Sequence, residues 1–288
     1  MMTKKKILTG LKSADYEHPH DKKALSALEK APGLEIVGRY ITKHTLERIY
    51  TIQYTGSNIR VTKDSYPKIY KKLECASQVL DLNKIPDMYI QWGYHINACT
   101  IGAEHPAIIL DSGVLDLCDD DEALFVIGRE CGHIKSDHML YHMMAQLINN
   151  IIDAIPFGSI AAGPLQYALY YWSRMSEFTA DRAGLLCCQN KDAAIRVLMK
   201  MAGVPINHFN DLNCNAFIEQ AKEFKQLDYE AMNKVVKFIS IADASHPWTV
   251  MRVAELLNWI ATKEYNRFMA GDYDVLVYSS VRNIINSF

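Results

Sequence analysis

The chain has 288 residues, of which 49% are apolar and 22% are charged, and its formal net charge at pH 7 is −2. The length suits one large domain or two small ones, and the apolar fraction supplies a sizeable core, which excludes an intrinsically disordered chain. A net charge near zero, with only short lysine clusters such as Lys4-Lys5-Lys6, argues against nucleic-acid binding.

The cysteines favour a reducing compartment. Their number is odd and no two form a C-x-x-C pair, which argues against a disulfide framework and against a structural zinc knuckle. The apolar run after the first lysines is too short and too polar for a signal peptide. We therefore expect a cytosolic protein. The seven cysteines are Cys75, Cys99, Cys118, Cys131, Cys187, Cys188 and Cys214.

The first third of the chain predicts a polar start followed by strands and a helix. We expect residues 1–35 to be an N-terminal extension, irregular around His18-Pro19-His20, and residues 36–288 to form a single domain. From Leu46 to Val61, β-branched and aromatic residues flank a turn cluster, a pattern typical of strands. A helix should begin near Pro67, where apolar residues recur with helical spacing.

Three short strands and a long helix are predicted next. The strands cover residues 87–91, 98–101 and 107–110. The run Asp119-Asp120-Asp121-Glu122 is typical of a helix N-terminus, because carboxylates there cap free N–H groups and favour the positive end of the helix dipole. We expect this helix to continue from about Glu122 to Gln146.

After residue 147 the pattern indicates helices and loops. The most apolar stretch, residues 147–172, is interrupted by polar residues, prolines and glycine, whereas a membrane span needs about 20 continuous apolar residues. We expect two buried segments there and no transmembrane span, with interfacial membrane contact as the alternative. Strands early and helices late favour one mostly helical α+β domain. The predicted helices cover residues 165–188, 191–202, 213–223, 229–242 and 247–270.

One stretch carries a distinctive chemical pattern, Gly128-Arg129-Glu130-Cys131-Gly132-His133. In the helical H-E-x-x-H motif, two histidines four residues apart share one face and one zinc ion, and the glutamate acts as general base. Glu130 and His133 occupy two of these positions. Arg129 stands where the first histidine is required.

Two further stretches with candidate site residues follow later in the chain. Glu177 and Asp181 lie one helical turn apart within Ser176–Gly184. His246 and Pro247 then open a predicted helix, followed by Arg252. A His-Pro pair at the start of a helix, shortly before an arginine, is expected to place both side chains near the mouth of a cleft.

Together the three stretches resemble the HtpX-like and CAAX-prenyl-protease-like family of zinc peptidases, of the gluzincin type. In that family H-E-x-G-H is followed by E-x-x-A-D-R-x-G and by a His-Pro before a helix. The resemblance covers most of the chain. It implies a zincin-like fold with a small N-terminal sheet and a helical C-terminal half, a zinc cofactor, and a peptide or protein substrate.

The resemblance also assigns roles to individual residues. It implies that His133 and Glu177 bind zinc and that Glu130, as general base, and His246 are the catalytic residues. Asp181 and Arg252 are implied to lie behind the ligands, where Asp181 orients a ligating histidine. It further implies that an edge strand binds substrate backbone; this strand contains Asn97, Ala98 and Cys99.

Arg129 changes what the resemblance implies. Zinc binds lone-pair donors, and a guanidinium has none to offer. Arg129 is instead expected to pair with a cleft carboxylate. The leading hypothesis is a peptidase fold whose catalysis is lost or severely weakened, with peptide bound by strand addition along Asn97–Gly102. The alternative is an active zinc metalloendopeptidase in which His246 completes the ligand set. A third class is a membrane-surface or scaffold protein.

Other candidate residues have simpler interpretations. His138 and His142 are four residues apart and can pair on a metal, but on one continuous helix they would face away from His133, so we expect a surface pair. Cys131 is interpreted as a small packing residue rather than a nucleophile. Cys187 and Cys188 are interpreted in the same way.

Overall fold

The computed structural model describes two short segments and five longer ones, namely residues 4–35, 37–38, 46–151, 158–204, 206–211, 213–226 and 247–271. Its strands are β1 (Ile59–Arg60), β2 (Asp87–Gln91), β3 (Ala98–Ile101) and β4 (Ala107–Asp111). Its helices are α1 (Ser13–Tyr16), α2 (Pro19–Leu28), α3 (Leu46–Ser57), α4 (Pro67–Val79), α5 (Gly113–Leu117), α6 (Asp120–Lys135), α7 (Met139–Ile151), α8 (Gly158–Cys188), α9 (Lys191–Met201), α10 (Cys214–Gln226), α11 (Thr249–Ile260) and α12 (Lys263–Ala270), with a 3₁₀ helix at Ile206–Asp211. The mostly helical α+β class is confirmed.

The four strands form one sheet in the order β1-β2-β4-β3. β2 and β4 are parallel, with Asp87 opposite Ala107, whereas β3 runs antiparallel to β4, with Ala98 opposite Leu110. β4 is buried along its whole length, as expected of a central strand. In the described part of the chain β3 is therefore an edge strand, as the sequence predicted for this segment.

The strand prediction for residues 46–61 is wrong over most of its length. Leu46–Ser57 is helical, and only Ile59 and Arg60 pair with β2. β-branched residues favour strands because they fit a half-buried pleated surface. Ile49 and Ile52 are 55% and 64% exposed, so the fold offers them no such surface.

The long helix predicted from Glu122 to Gln146 is in fact two helices. α6 ends at Lys135, where the N–H of Ser136 donates to the carbonyl of Gly132. Asp137 adopts a left-handed backbone conformation (φ 54°), which aspartate tolerates better than most residues. α7 therefore starts in a new direction at Met139. The C-terminal helix predicted at 247–270 is likewise divided, into α11 and α12.

The N-terminal segment packs into the body of the protein. Leu8, Leu11 and Tyr16 belong to the main core cluster, and α2 lies against α8. The expected irregular stretch after His18 is instead helix α2, which His18 caps by accepting from the N–H of His20. The division of the chain at residue 35 stays a prediction.

The central helix pair, α6 and α8, is held at short range by small residues. A Cβ atom on Gly132 would lie 2.4 Å from the Cβ of Ala183, and one on Gly128 would lie 2.6 Å from the Cβ of Cys187. A Cβ atom on Gly184 would lie 2.8 Å from the carbonyl oxygen of Phe125 in α6. The two helices that carry the sequence motifs therefore touch at backbone distance.

Several other expectations can be compared with the described residues. The predicted helix at 229–242 lies outside them, as do residues 152–157 of the apolar stretch. Cys131, Cys187 and Cys188 are buried in the core, which confirms their packing role. None of the helices described here is long and apolar enough to cross a bilayer. The cytosolic location stays a prediction.

The N-terminus of α6 is fixed by a capping box. The Asp119 carboxylate accepts from the N–H groups of Asp121 and Glu122, and the Glu122 carboxylate accepts from the N–H of Asp119. Glu122 also binds Lys200 at 2.7 Å and Arg196 at 2.9 Å. The predicted helix start is therefore confirmed.

We expect Asp119→Ala to lower the free energy of unfolding by about 1–2 kcal/mol, because two N–H groups at the start of α6 lose their acceptor. Asp119→Asn keeps a capping oxygen and should cost less than about 0.5 kcal/mol. Urea denaturation followed by circular dichroism measures both variants. Equal losses would show that the charge of Asp119, which contacts Arg196, matters more than the cap.

Candidate active site

A cavity of about 560 Å³ lies between the edge strand β3 and helices α6, α7, α8 and α11. It brings together residues from all three sequence motifs. Pro247 lines it, whereas His246 lies outside the described residues. The predicted site residues that line the cavity are Asn97, Ala98, Cys99, Arg129, Glu130, His133, Glu177 and Arg252.

Arg129 is the centre of the polar network beneath the cavity. It is 3% exposed. Its Nη2 donates to Glu177 Oε2, its Nε donates to Asp181 Oδ1 at 2.9 Å, and its Nη1 lies 3.8 Å from Glu130 Oε1. Burial alone would lower the pKa of Arg129, but the three carboxylates raise it above its ordinary value. The side chain is therefore a permanent cation.

A second arginine holds Asp181 from the other side. Arg252 donates from Nε to Oδ2 at 2.9 Å and from Nη2 to Oδ1 at 2.6 Å, a bidentate pair. Asp181 thus accepts from two guanidinium groups and lies 1% exposed beneath the cavity. The resemblance implied that Asp181 orients a histidine. In the structure its carboxylate binds Arg129 and Arg252, and the orienting of a histidine stays a prediction.

Glu130 lies where the general base of the motif is expected. Its Oε2 accepts a hydrogen bond from Thr100 Oγ1 at 2.9 Å, so its orientation is set by the edge strand β3. Sequence reasoning missed Thr100, although β3 alternation places it on the same face of the strand as Ala98.

His133 approaches Glu177 with one ring nitrogen. Nε2 lies 3.4 Å from Glu177 Oε1. Burial lowers the pKa of His133, but the hydrogen bond and charge of Glu177, together with the charge of Glu130, raise it above its ordinary value overall. Two guanidinium groups and this imidazole thus face three buried carboxylates, which is the arrangement that buried charges need.

The residues at the motif positions do not fit a zinc ion. Arg129 has no lone pair to offer a metal ion, and its guanidinium donates a hydrogen bond to Glu177 Oε2. The other oxygen of Glu177 faces His133. The two remaining ligand residues are thus paired with each other and with a cation, and a second cation placed between them would be repelled.

Two further histidines lie beside His133, contrary to expectation. His138 is buried, and its ring centroid lies 5.3 Å from that of His133; the corresponding distance from His142 is 4.9 Å. The expected surface pair was wrong because α6 ends at Lys135 and the chain turns before α7. The new direction of α7 brings His142 back over His133.

β3 lines the cavity and has one edge that pairs with no strand among the described residues. The carbonyl of Asn97 accepts from the N–H of Asp111, so hydrogen-bonded pairs with β4 fall at Asn97, Cys99 and Ile101. The backbone groups of Ala98 and Thr100 therefore point away from β4. Burial, with the charge of Glu130, raises the pKa of the Cys99 thiol to about 12, so this cysteine is no nucleophile at neutral pH.

Comparison with known proteins gives a consistent family. A sequence model of peptidase family M48 matches residues 67–260. The chain is similar to the plastoglobule-localized metallopeptidase 48 of Arabidopsis thaliana, with 29% identity over 266 residues, covering 91% of this chain and 77% of that protein. It is also similar to a protease HtpX homolog of Nostoc sp., with 24% identity over 258 residues, covering 78% of this chain and 84% of that protein. No solved structure matches it significantly.

Removal of Asp181 tests the polar network. Asp181→Ala should lower the free energy of unfolding by about 3–5 kcal/mol, because it leaves Arg129 and Arg252 buried without their shared carboxylate. Chemical denaturation measures this loss. Glu219→Ala is the matched control, since Glu219 pairs with Lys222 on an exposed helix face and should cost less than about 1 kcal/mol. If Asp181→Ala lowers the free energy of unfolding by no more than Glu219→Ala does, the polar network does not stabilise the fold as proposed.

Proposed function

The chain belongs to peptidase family M48, and we propose that it uses the peptidase cleft to bind extended peptide while hydrolysing it weakly or not at all. The observation that carries this proposal is the guanidinium of Arg129 at a metal-ligand position, bound to Glu177 and Asp181. Family membership supplies the expectation of a peptide or protein substrate.

The loss of hydrolysis follows from the ligand count. A catalytic zinc site normally needs three protein ligands and one open position for water. His133 and Glu177 supply two at most, and both are engaged with each other or with Arg129. The guanidinium takes over the charge of a metal ion, because it neutralises the carboxylates that would otherwise be buried unpaired. It has no means of activating a water molecule.

Peptide binding rests on the edge strand. β3 lines the cavity, and the backbone N–H and C=O groups of Ala98 and Thr100 lie on the edge of β3 that is turned away from β4. An extended peptide adds to such an edge through main-chain hydrogen bonds, which give affinity without any catalytic group. The cavity therefore keeps the means of holding a substrate backbone.

An active zinc metalloendopeptidase is the second candidate. Glu130, His133 and Glu177 all line one cavity, and Pro247, the neighbour of His246, lines it as well. In this candidate His246 completes a set of two histidines and one glutamate, with Arg129 displaced from Glu177. Zinc-dependent cleavage by the unmodified protein would favour it over peptide binding alone.

We expect the unmodified protein to leave fluorescein-labelled casein intact in the presence of zinc, whereas Arg129→His should cleave it. An imidazole at position 129 restores the three-ligand set. In that background Glu130→Gln should reduce cleavage by about 10²- to 10⁴-fold, the usual contribution of a general base. Release of labelled peptides measures all three proteins.

The variant that carries both Arg129→His and Glu130→Gln is the control for contaminating proteases. It differs from the cleaving variant only in having an amide in place of the Glu130 carboxylate. Zinc-dependent cleavage by the unmodified protein at the rate of Arg129→His would disprove the proposed impairment. If that activity then disappears in His246→Ala, the second candidate replaces the first.

If peptide binds by strand addition, the backbone N–H of Ala98 should contribute to peptide affinity. Ala98→Pro removes this N–H, which lies on the edge of β3 turned away from β4, and leaves the hydrogen bonds to β4 in place; edge strands tolerate proline. Affinity for labelled casein, measured by fluorescence anisotropy, should fall at least about threefold, the value of one hydrogen bond.

Ala98→Ser is the matched control, because it changes the same side chain and retains the N–H. It should bind casein as the unmodified protein does. If Ala98→Pro and Ala98→Ser bind equally well, peptide does not add to this edge.

A further inference from the structure

Three histidines converge beside the cavity from the end of α6, the turn after it and the first part of α7. They are His133, His138 and His142, and one donor atom from each lies within 4.8 Å of the other two. His133 and His138 are buried and His142 is half-buried. Their proximity depends on the break between α6 and α7, and they share only His133 with the family motif.

We propose that His133, His138 and His142 form a binding site for a divalent transition-metal ion, on the side of His133 that faces away from Glu177. The donor set is three imidazoles, which suits zinc and the neighbouring metals cobalt, nickel and copper. This site is separate from the position occupied by Arg129, and it goes beyond the peptide-binding function proposed above.

A ring nitrogen of each histidine lies near a side-chain oxygen, and at His142 both nitrogens do, because its Nδ1 lies 3.3 Å from Ser173 Oγ. His133 Nε2 lies 3.4 Å from Glu177 Oε1, His138 Nε2 lies 3.3 Å from Asp21 Oδ2, and His142 Nε2 lies 3.0 Å from Ser176 Oγ. Metal-binding histidines almost always make such a contact, because it fixes the tautomer and the direction of the ring. Here His133 and His138 show it toward carboxylates, and at His142 a metal ion would replace one of the two serine hydroxyls.

The inner nitrogens of two rings face each other. His133 Nδ1 and His138 Nδ1 are 3.0 Å apart. Carboxylates accept hydrogen bonds, so Glu177 and Asp21 place the ring protons on Nε2 and leave a lone pair on each Nδ1. At this distance the two nitrogens need a cation between them, either the proton of an N–H···N hydrogen bond or a metal ion that takes the place of that proton. Nitrogen ligands on a tetrahedral zinc ion are about 3.3 Å apart, close to the spacing observed.

Asp21 gives a further reason for positive charge at this place. It is fully buried, and in the described part of the chain its one ion pair is with His138. Its Oδ2 also accepts from Thr179 Oγ1, whereas Oδ1 has no hydrogen-bond partner among the described residues. A metal ion bound to His138 would polarise the ring and strengthen its hydrogen bond to this buried carboxylate.

The decisive experiment is metal titration of chelator-treated, full-length protein with Co²⁺ and with Zn²⁺. Co²⁺ in a low-coordinate nitrogen site absorbs visible light, and Zn²⁺ should displace it. We expect one ion per chain with a Kd of about 1 μM or tighter. His142→Ala should weaken binding at least about 100-fold, and His138→Gln should do the same. His208→Ala, which removes an exposed histidine paired with Asp211, should leave the affinity unchanged.

X-ray absorption at the zinc edge gives a test that needs no variant, because His138 is buried and its replacement endangers folding. The unmodified protein should show three imidazole nitrogens at about 2.0–2.1 Å. Absence of binding below about 1 mM, unchanged affinity in His142→Ala, or a spectrum with one imidazole and carboxylate oxygens would overturn the proposal. Zinc bound by three imidazoles without casein cleavage would support it and leave the proposed peptide-binding function intact.

Discussion

The close contact between α6 and α8 is the constraint on which the site depends. Helices that pack through ordinary side chains keep their axes 8–10 Å apart. At Gly128, Gly132 and Gly184 the side chains are absent, and Ala183 fills the remaining space. Arg129 and Asp181 can therefore meet directly across the seam at 2.9 Å. Because interiors are close-packed, any added carbon in this seam would move the charged groups apart.

The electrostatic design of the site follows from that short distance. Glu130, Glu177 and Asp181 are all buried, and ionised carboxylates stay buried only when they are paired. In the related peptidases a metal ion is expected at this position. In this chain Arg129 and Arg252 carry the balancing charge through hydrogen bonds of fixed direction, and Asp181 binds both. The buried carboxylates Glu177 and Asp181 are thus balanced by side chains of this chain.

The sequence predicts the parts of the fold and site that depend on local spacing. The position of Glu177 one turn from Asp181 on α8 and the capping of α6 by Asp119 are both predictable, because each depends on residues no more than four positions apart. What the sequence does not reveal is set by distant contacts or by exposure. Leu46–Ser57 contains strand-forming residues but finds no sheet to join. His138 lies beside His133 because the helix breaks at Asp137, and its partner Asp21 comes from α2, more than a hundred residues away.

The bidentate pair between Arg252 and Asp181 joins positions 71 residues apart. A ribosome adds about 5–20 residues per second, so the motif helices α6 and α8 emerge several seconds before Arg252 does. During that interval Arg129 alone can neutralise Asp181, and the α11 wall of the cavity does not yet exist. The cavity is thus closed off late in synthesis, after the helices that carry its motif residues have had time to pair.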